Sequence, residues 1–292
     1  MKVILDCDNT FGIPDQDVDD GLALLYLLGC EGVDLLGVTC TFGNASVDKV
    51  FRNTQRFLQE IGRPDIPLFR GGTPDQLGSP AARFLADTVG KNPGEITLLA
   101  TGALTNLYGA HLCDPSFFHH LSHIVTMGGI TSPLAIRGHS LDELNFSCDP
   151  RATQVVLSSP ARTTVITGNL CLQALFGDAG FRHLEENGHF PAYAYLLKAL
   201  HPWRNTMEQV FGLKGFHNWD TTAAVYVTDP TLFRDERRRL ASTLEDLRKG
   251  FLRTEDSQAD GFTINMPFEI VDPDRFNRRI LEAWQRLPSF PP

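Results

Sequence analysis

The sequence predicts one α/β domain over residues 1–292, in which a mostly parallel sheet carries helices on both faces. Short apolar runs typical of buried strands alternate with amphipathic segments of helical period along most of the chain. Polar loops follow these strands, and right-handed crossovers place such loops at one edge of a parallel sheet. The chain has 292 residues, of which 42% are hydrophobic, and is therefore long enough to bury a full core.

Local patterns predict the elements in order. We predict strands over 2–8, 33–39, 66–69, 96–100, 124–127 and 163–167, and a β alternation over 262–270. We predict helices over 21–28, 46–61 with Ser46 as its cap, 81–89, 104–112, 151–158, 221–227 and 273–287. The segment 130–150 is long and irregular, which is typical of a functional loop. The mainly helical segment 178–212 is expected to cover the site, and the charged run 235–239 is interpreted as a solvated turn.

Acidic residues gather around the end of the first strand. Asp6 and Asp8 end that strand, and Asp19 and Asp20 open the next helix. Acids at a helix N-terminus often serve as caps, but capping needs only one or two of these four. No Lys or Arg occurs between Lys2 and Lys49 to neutralise them. A hard cation with oxygen ligands, Ca²⁺ or Mg²⁺, is the simplest explanation.

Composition limits the partners and the compartment. A net charge of −9 and a pI near 5.4 argue against nucleic acid and anionic membranes as partners. No apolar run has the length of a transmembrane helix, and the first residues enter a strand without a signal peptide. The six cysteines form no CxxC pair, which is typical of reduced thiols. We therefore expect a cytoplasmic protein.

Four further motifs follow the strand acids in a fixed order. They are Thr101-Gly102-Ala103-Leu104-Thr105-Asn106, Met127-Gly128-Gly129, Glu143-Leu144-Asn145 and the cluster that ends in Asp220. Together with Asp6 and Asp8, they make nearly the whole chain resemble the inosine–uridine-preferring nucleoside hydrolase family. The resemblance implies the Rossmann-like nucleoside hydrolase fold and a Ca²⁺-dependent enzyme of nucleoside salvage. Such an enzyme hydrolyses the N-glycosidic bond of a ribonucleoside to free base and ribose.

The resemblance also implies roles for individual residues. Asp8, Asp20, the backbone carbonyl of Thr101 and Asp220 are expected to bind calcium. Asp8 is expected to take the proton of the water that the ion binds, with Asp6 as a supporting acid. The ribose hydroxyls are expected to contact Asp19, Asn44, Glu143 and Asn145. This division suits the chemistry, because an oxocarbenium-like transition state needs an activated water and nearby negative charge.

The sequence departs from the family pattern at two places. Ten residues, 9–18, separate Asp8 from the Asp pair, where the family has three, so Asp15 or Asp17 is an alternative ligand. The best-known members carry a histidine, the acid for the leaving group, where this chain has Trp219. An indole cannot protonate a base but can stack on it. His217 is an alternative proton donor, although a histidine in a core or loop is the commoner role.

Other functions are compatible with parts of the sequence. Asp6-Cys7-Asp8-Asn9-Thr10 also matches the DxDxT signature of haloacid-dehalogenase-like Mg²⁺ phosphatases, in which Asp6 would be the nucleophile. Those enzymes also need a Lys at a strand end, which is not evident here. A non-catalytic nucleoside or ribose binder is the third interpretation, because Trp219 replaces the acid. The family resemblance implies a homodimer or homotetramer, and the base preference stays open.

Overall fold

A nine-stranded sheet forms the centre of the computed structural model, which describes residues 1–256 and 263–287. The strands in the described part are β1 (Lys2–Cys7), β2 (Asp34–Cys40), β3 (Leu68–Arg70), β4 (Ile96–Ala100), β5 (His123–Met127), β6 (Leu134–Ile136), β7 (His139–Leu141), β8 (Thr163–Ile166), β9 (Leu175–Phe176), β10 (Phe216–His217), β11 (Phe233–Arg234), β12 (Arg237–Leu240), β13 (Thr254–Asp256), β14 (Thr263–Asn265) and β15 (Glu269–Ile270). The sheet order is β13-β12-β14-β8-β5-β4-β1-β2-β3. From β14 to β3 every neighbouring pair is parallel, whereas β12 is antiparallel to both of its neighbours. The mostly parallel sheet is therefore confirmed.

Helices pack against both faces of this sheet. The helices in the described part are α1 (Asp19–Gly29), α2 (Val47–Glu60), α3 (Pro80–Lys91), α4 (Thr105–Cys113), α5 (Phe117–His120), α6 (Pro150–Leu157), α7 (Gly168–Cys171), α8 (Asp178–Glu186), α9 (Pro191–Phe211), α10 (Trp219–Thr228), α11 (Leu244–Leu247) and α12 (Pro273–Gln285). One buried cluster joins the sheet to α1, α2, α8, α9, α10 and α12. The other joins its opposite face to α3, α4, α5, α6 and α11. Residues of β1 alternate between the clusters, with Leu5 in the first and Ile4 in the second, as a strand buried on both faces requires.

The first and last helices of the chain pack closely together. The Trp284 indole of α12 is fully buried and donates a hydrogen bond from Nε1 to the Leu22 carbonyl of α1, at 3.2 Å. Gly29 of α1 approaches the backbone of Ala283 so closely that a Cβ there would lie 1.8 Å from the Ala283 oxygen. Such contact needs a residue without a side chain. The C-terminal helix therefore completes the surroundings of α1.

Most of the predicted elements are observed within two residues of their expected bounds. Ser46 occupies the cap position of α2, but its side chain makes no capping hydrogen bond. The helical character of 178–212 is confirmed by α8 and α9. Within the segment expected to be irregular, β6 and β7 form an antiparallel hairpin. Because each of these strands has only three residues, they show too little periodicity to be recognised in the sequence.

The interpretation of 235–239 as a solvated turn is wrong for its second half. Arg237 begins β12, which lies between β13 and β14 in the sheet. The physical reason is cross-strand pairing, because Arg239 forms an ion pair with Glu255 on β13. The predicted alternation 262–270 is observed as the short strands β14 and β15, and Phe262 lies outside the described residues.

Two further expectations concern the whole chain. The described residues contain no helix with both the length and the apolar character that crossing a membrane requires. All six cysteines lie in the described part, and each is a free thiol.

Candidate functional site

The candidate site lies where four parallel strands end and two helices begin. The register aligns Cys7 with Cys40, Asp6 with Ala100, and Ala100 with Thr126. The loops that follow β1, β2, β4 and β5 therefore meet at one edge of the sheet. Helices α1 and α10 carry aspartates in their first turns and reach the same edge. The chain topology thus brings together polar residues that are far apart in the sequence.

Three buried aspartates converge at this edge. Carboxylate oxygens of Asp19, Asp20 and Asp220 all lie within 4.8 Å of one another. Asp8 lies beside Asp20, whose pKa is raised by burial and by the Asp8 carboxylate. The Thr101 hydroxyl donates to Asp20 Oδ1 at 2.7 Å. The acids of this cluster thus come from the loop after β1 and from α1 and α10, and Thr101, directly after β4, contacts one of them.

The electrostatics of this cluster favour a bound cation. Burial raises the pKa of Asp20 and of Asp220 well above the ordinary value, and neighbouring carboxylates raise both further. Burial also raises the pKa of Asp8. Within the described residues none of these acids forms an ion pair with a basic side chain, and Asp20 Oδ2 has no hydrogen-bond partner. Buried carboxylates need compensation, and a divalent ion with oxygen ligands would supply it. The residues therefore fit a metal ion.

Asp6 lies behind the cluster rather than in it. Its Oδ1 accepts hydrogen bonds from the Thr39 hydroxyl and, at 2.8 Å, from Asn106 Nδ2. Burial raises the pKa of Asp6 to about 7 despite these hydrogen bonds. Its other oxygen, Oδ2, has no partner in the described structure. Asp6 is thus a buried acid held by a residue of β2 and a residue in the first turn of α4.

The backbone after β2 holds the Asp8 carboxylate. The backbone N–H of Asn44 donates to Asp8 Oδ2, and Asn44 Nδ2 donates to Oδ1 at 3.4 Å. Asp8 Oδ2 approaches Gly43 so closely that a Cβ there would lie 2.1 Å away. The Asp8 carboxylate can take this position because residue 43 has no side chain.

Asn145 and Glu143 order the long segment that follows β5. Asn145 Nδ2 donates to the backbone carbonyls of Thr101 and Met127, both at 3.1 Å. The Glu143 carboxylate accepts from three backbone N–H groups, those of Gly129, Phe146 and Ser147, at 2.8–3.0 Å. Burial raises the pKa of Glu143, and these hydrogen bonds oppose that rise. Both side chains therefore shape the loop as well as facing the cavity.

A cavity of about 290 Å³ opens above the acids. One part of its wall is polar and contains most of the predicted site residues, namely Asp19, Asn44, Thr101, Glu143, Asn145 and Asp220. Another part is aromatic and apolar, with Trp203, Met207 and Phe211 from α9 and Trp219 from α10. Asp6, Asp8 and Asp20 are buried behind this lining. A concave site with both kinds of wall suits a small ligand that has a polar and a flat apolar part.

His217 is not among the residues that line this cavity. It lies on β10, its ring centroid is 5.5 Å from that of Trp219, and burial lowers its pKa to about 4. Its Nδ1 has no partner in the described structure. His217 is thus a buried neutral histidine behind Trp219, and its predicted role in binding stays a prediction.

The structure adds lining residues to which the sequence analysis gave no role in the site. They include Met127, Asp142, the hairpin residues Leu134 and Ile136, and the three residues of α9. The α9 residues Trp203, Met207 and Phe211 recur every four positions, which places them on one helix face. That spacing is visible in the sequence, but the sequence does not show which way the face points.

The ten-residue loop after Asp8 packs between α2 and α9. Asn53 Nδ2 donates to the carbonyls of Asn9 and Phe11, at 3.1 and 3.2 Å. Asp15 Oδ1 accepts from the Thr206 hydroxyl at 3.2 Å. Asp15 therefore contacts the covering helix, whereas Asp17 lines the cavity. Of the two alternative ligands considered in the sequence, only Asp17 lies close to the acids.

Comparison with known proteins gives a consistent result. The family model described as inosine-uridine preferring nucleoside hydrolase matches residues 3–278. A probable uridine nucleosidase 2 from Oryza sativa subsp. japonica is 31% identical over 64% of this chain and 62% of its own length. Uridine nucleosidase 1 from Arabidopsis thaliana is 30% identical over 75% of this chain and 73% of its own length.

A solved structure shows the same fold. The structure of a purine-preferring ribonucleoside hydrolase from Gardnerella vaginalis superposes with a TM-score of 0.84 and covers 98% of this chain and 99% of its own. At 24% identity this likeness speaks for the fold alone. The family model, in contrast, covers nearly all of the chain, and it favours a nucleoside hydrolase over a phosphatase. The chain belongs to the inosine–uridine-preferring nucleoside hydrolase family, and it is a hydrolase of N-glycosyl bonds.

Proposed function

We propose that this chain hydrolyses the N-glycosidic bond of ribonucleosides to free base and ribose and that it requires Ca²⁺ to do so. The observation that carries the proposal is the cluster of buried aspartates, without a basic partner among the described residues, at the base of a cavity with an aromatic wall. Asp8, Asp20, Asp220 and the Thr101 carbonyl would hold the ion. Asp19 belongs to the same cluster and also lines the cavity, so it could contact both an ion and a ligand.

The ion and Asp8 have separate tasks in this proposal. When bound, calcium would act as a Lewis acid that lowers the pKa of a water molecule and binds two neighbouring ribose hydroxyls. The Asp8 carboxylate accepts the proton of the water that attacks C1′. The Asn44 backbone N–H and the space at Gly43 hold this carboxylate in place. Asp6, fixed by Thr39 and Asn106, supports Asp8 from behind.

The polar wall would bind the ribose. Asp19, Asn44, Glu143 and Asn145 present carboxylate and amide groups to the cavity. Ribose hydroxyls can donate to the carboxylates and exchange hydrogen bonds with the amides. Fixed carboxylates also stabilise the positive charge that develops on the ribose ring in the oxocarbenium-like transition state. The polar wall therefore serves both binding and catalysis.

The aromatic wall would bind the base. Trp219 is half-buried and lines the cavity next to the acidic cluster. It is the first residue of α10, the helix that also carries Asp220. Its indole can stack on a planar ring. His217 lies behind it and stays neutral at ordinary pH, because burial lowers its pKa to about 4.

A reducing-sugar assay with purine and pyrimidine ribonucleosides tests the proposal. We expect ribose release with Ca²⁺, none after EDTA treatment, and a loss of about 10³-fold or more in kcat for Asp8→Ala and for Asp220→Ala. Full activity in EDTA or in these variants would contradict the assignment. Ribonucleoside binding by calorimetry without ribose release would instead indicate a non-catalytic binder. Mg²⁺-dependent hydrolysis of p-nitrophenyl phosphate that Asp6→Asn abolishes would indicate a phosphatase.

We also propose a cytoplasmic homo-oligomer, a dimer or tetramer, that serves nucleoside salvage. Six free cysteines suit a reducing compartment, and the oligomeric state follows from the family resemblance. Light scattering coupled to gel filtration measures the oligomer mass, and a monomer at micromolar concentration would contradict this part of the proposal.

A further inference from the structure

The cavity combines acidic side chains with aromatic rings and has no basic side chain. Its lining includes five carboxylic acids, Asp17, Asp19, Asp142, Glu143 and Asp220. Among the described residues that line it there is no Lys, Arg or His. A bound divalent ion would neutralise only part of this charge, and Asp8 and Asp20 add to it from behind. A cleft of one sign of charge attracts ligands of the opposite sign.

The aromatic wall is also suited to a cation. Trp203 from α9 and Trp219 from α10 are both half-buried, and both line the cavity. Met207 and Phe211 extend the same wall. The face of an indole attracts a positive charge more strongly than a phenyl ring does, and desolvation strengthens the attraction. A flat ring with a delocalised positive charge would thus match both the rings and the acids.

Leaving-group chemistry points in the same direction. When the C1′–N bond of a neutral nucleoside breaks, its electron pair stays on the base, which must take up a proton or leave as an anion. The aromatic wall has no ionisable group to give that proton, since Trp203, Met207, Phe211 and Trp219 cannot act as acids. An anion would also be repelled by the acids around it. A base with a fixed positive charge needs no proton, because the electron pair of the broken bond neutralises its ring.

We propose that this site prefers ribonucleosides whose base carries a fixed positive charge, such as an N-ribosylpyridinium or an N7-alkylated purine ribonucleoside. The inference rests on the proposed N-glycosidic hydrolysis and specifies its substrate class. In the balanced step a water oxygen bonds to C1′ as the C1′–N bond breaks. The water proton passes to Asp8 and then to solvent, and the base leaves as a neutral molecule.

The test compares substrates that differ in the charge of the leaving group. The cationic probe is 1-(β-D-ribofuranosyl)-3-carbamoylpyridinium, and the neutral substrates are uridine, inosine and p-nitrophenyl β-D-ribofuranoside. The p-nitrophenyl compound controls for reactivity, because it leaves without a proton but starts uncharged. Each kcat/KM is divided by the rate constant for spontaneous hydrolysis of the same bond. We expect the pyridinium value to exceed each neutral value by about tenfold or more. Equal or lower values would overturn the inference.

Substitutions at Trp219 test whether charge recognition involves the indole. Trp219→Leu should lower the normalised kcat/KM of both substrates, because the indole is proposed to stack on either base, and it should lower that of the pyridinium substrate by about tenfold more. Trp219→Phe keeps a ring with a weaker attraction for cations, so we expect an intermediate loss. Equal losses for charged and neutral substrates in both variants would show that the ring only fills space, and would overturn the inference. Thermal melts check that the variants are folded.

A substitution at the rim tests the contribution of the acids. Asp142 is exposed and lines the cavity. Asp142→Asn keeps the shape of the side chain and removes its charge, and we expect a higher KM for the pyridinium substrate only. An unchanged KM would contradict the acidic half of the inference. Hydrolysis of none of the three N-ribosides, the pyridinium compound, uridine and inosine, would instead refute the proposed N-glycosidic hydrolysis itself.

Discussion

At the scale of single residues, the position of Asp8 depends on the absence of a side chain at residue 43. A Cβ atom on residue 43 would lie only 2.1 Å from Asp8 Oδ2. The backbone N–H of the next residue, Asn44, donates a hydrogen bond to the same oxygen. Real Cβ atoms do not approach other heavy atoms so closely, so a larger residue must move the carboxylate or the loop. The geometry of the proposed general base is therefore fixed by the loop after β2.

Gly43→Ala should consequently impair catalysis more than folding. We expect kcat/KM for ribonucleosides to fall by about 10²-fold, because displacements of about 1 Å in an active site have effects of this size. Gly78→Ala is the matched control, because a Cβ at Gly78 meets nothing within 4 Å. Steady-state assays with both variants give the comparison, and similar activities would show that Asp8 is not held in this way.

The acids of the site and Trp219 were predictable from the sequence, whereas the part of the aromatic wall that α9 supplies was not. Asp8 follows a recognisable strand, and Asp20 lies at the start of a recognisable helix. The parallel topology alone therefore brings both residues to one edge of the sheet. Trp203 lies in the middle of a helix about 180 residues away, and its position depends on how α9 packs. Local patterns carry no information on that packing. The same holds for His217, which the sequence could not distinguish from a cavity residue.

At the scale of elements, helix α2 supports the ten-residue loop that separates Asp8 from Asp19. Asn53 is buried, and its amide donates to two backbone carbonyls of the loop. Phe11 of the loop packs its ring 5.0 Å from that of Phe57 on the same helix. The loop is thus a packed part of the fold, and through Asp15 it also contacts the helix that carries Trp203.

Asn53→Ala should therefore destabilise the protein as a whole. The substitution leaves two backbone carbonyls without their donor, and a buried unsatisfied group costs about 1–3 kcal/mol. We expect a decrease of this size in the free energy of unfolding, measured by urea denaturation. Arg52→Ala, at an exposed position of the same helix, serves as the control and should change it by less than about 0.5 kcal/mol. Equal effects of the two substitutions would show that the loop contacts carry little energy.

The elements that were not predicted from the sequence are strands stabilised mainly by the strands next to them. The strands β1, β4 and β8 are almost entirely buried, and their β-branched and aliphatic residues make them recognisable by composition. The hairpin of β6 and β7 and the charged strand β12 have weak patterns of their own and are held by cross-strand contacts. Sequence periodicity therefore predicted the centre of the sheet better than its antiparallel edge.

At the scale of the whole molecule, the buried acids make stability depend on metal and on pH. The pKa values of Asp20 and Asp220 are raised in the folded state, so the folded state binds more protons than the unfolded state does. The stabilisation that these two carboxyl groups contribute is fully present below the pKa that they have in the unfolded chain. It is lost as the pH rises through the pKa that they have in the folded protein. Two histidines, the half-buried His123 and the buried His217, have pKa values of about 4 because burial lowers them, and they act in the opposite direction only below about pH 6.5.

The melting temperature in EDTA should therefore fall between pH 6.5 and pH 8. With Ca²⁺ well above its dissociation constant the fall should be absent, and the melting temperature should be about 5 °C higher or more, from mass action. Asp220→Asn removes one of the buried charges, so we expect it to stabilise the ion-free protein and to weaken the calcium effect. Scanning calorimetry provides the measurement. Identical melting temperatures with EDTA and with Ca²⁺ at every pH would contradict a cation site.

The contact between α1 and α12 has a consequence for biosynthesis. The helix that begins with Asp19 and Asp20 becomes fully covered only when the Trp284 indole bonds to the Leu22 carbonyl. During translation the polypeptide thus lacks this cover until α12 has left the ribosomal tunnel. We expect stalled nascent chains that end before α12 to have no hydrolase activity, although they already contain every acidic residue of the candidate site.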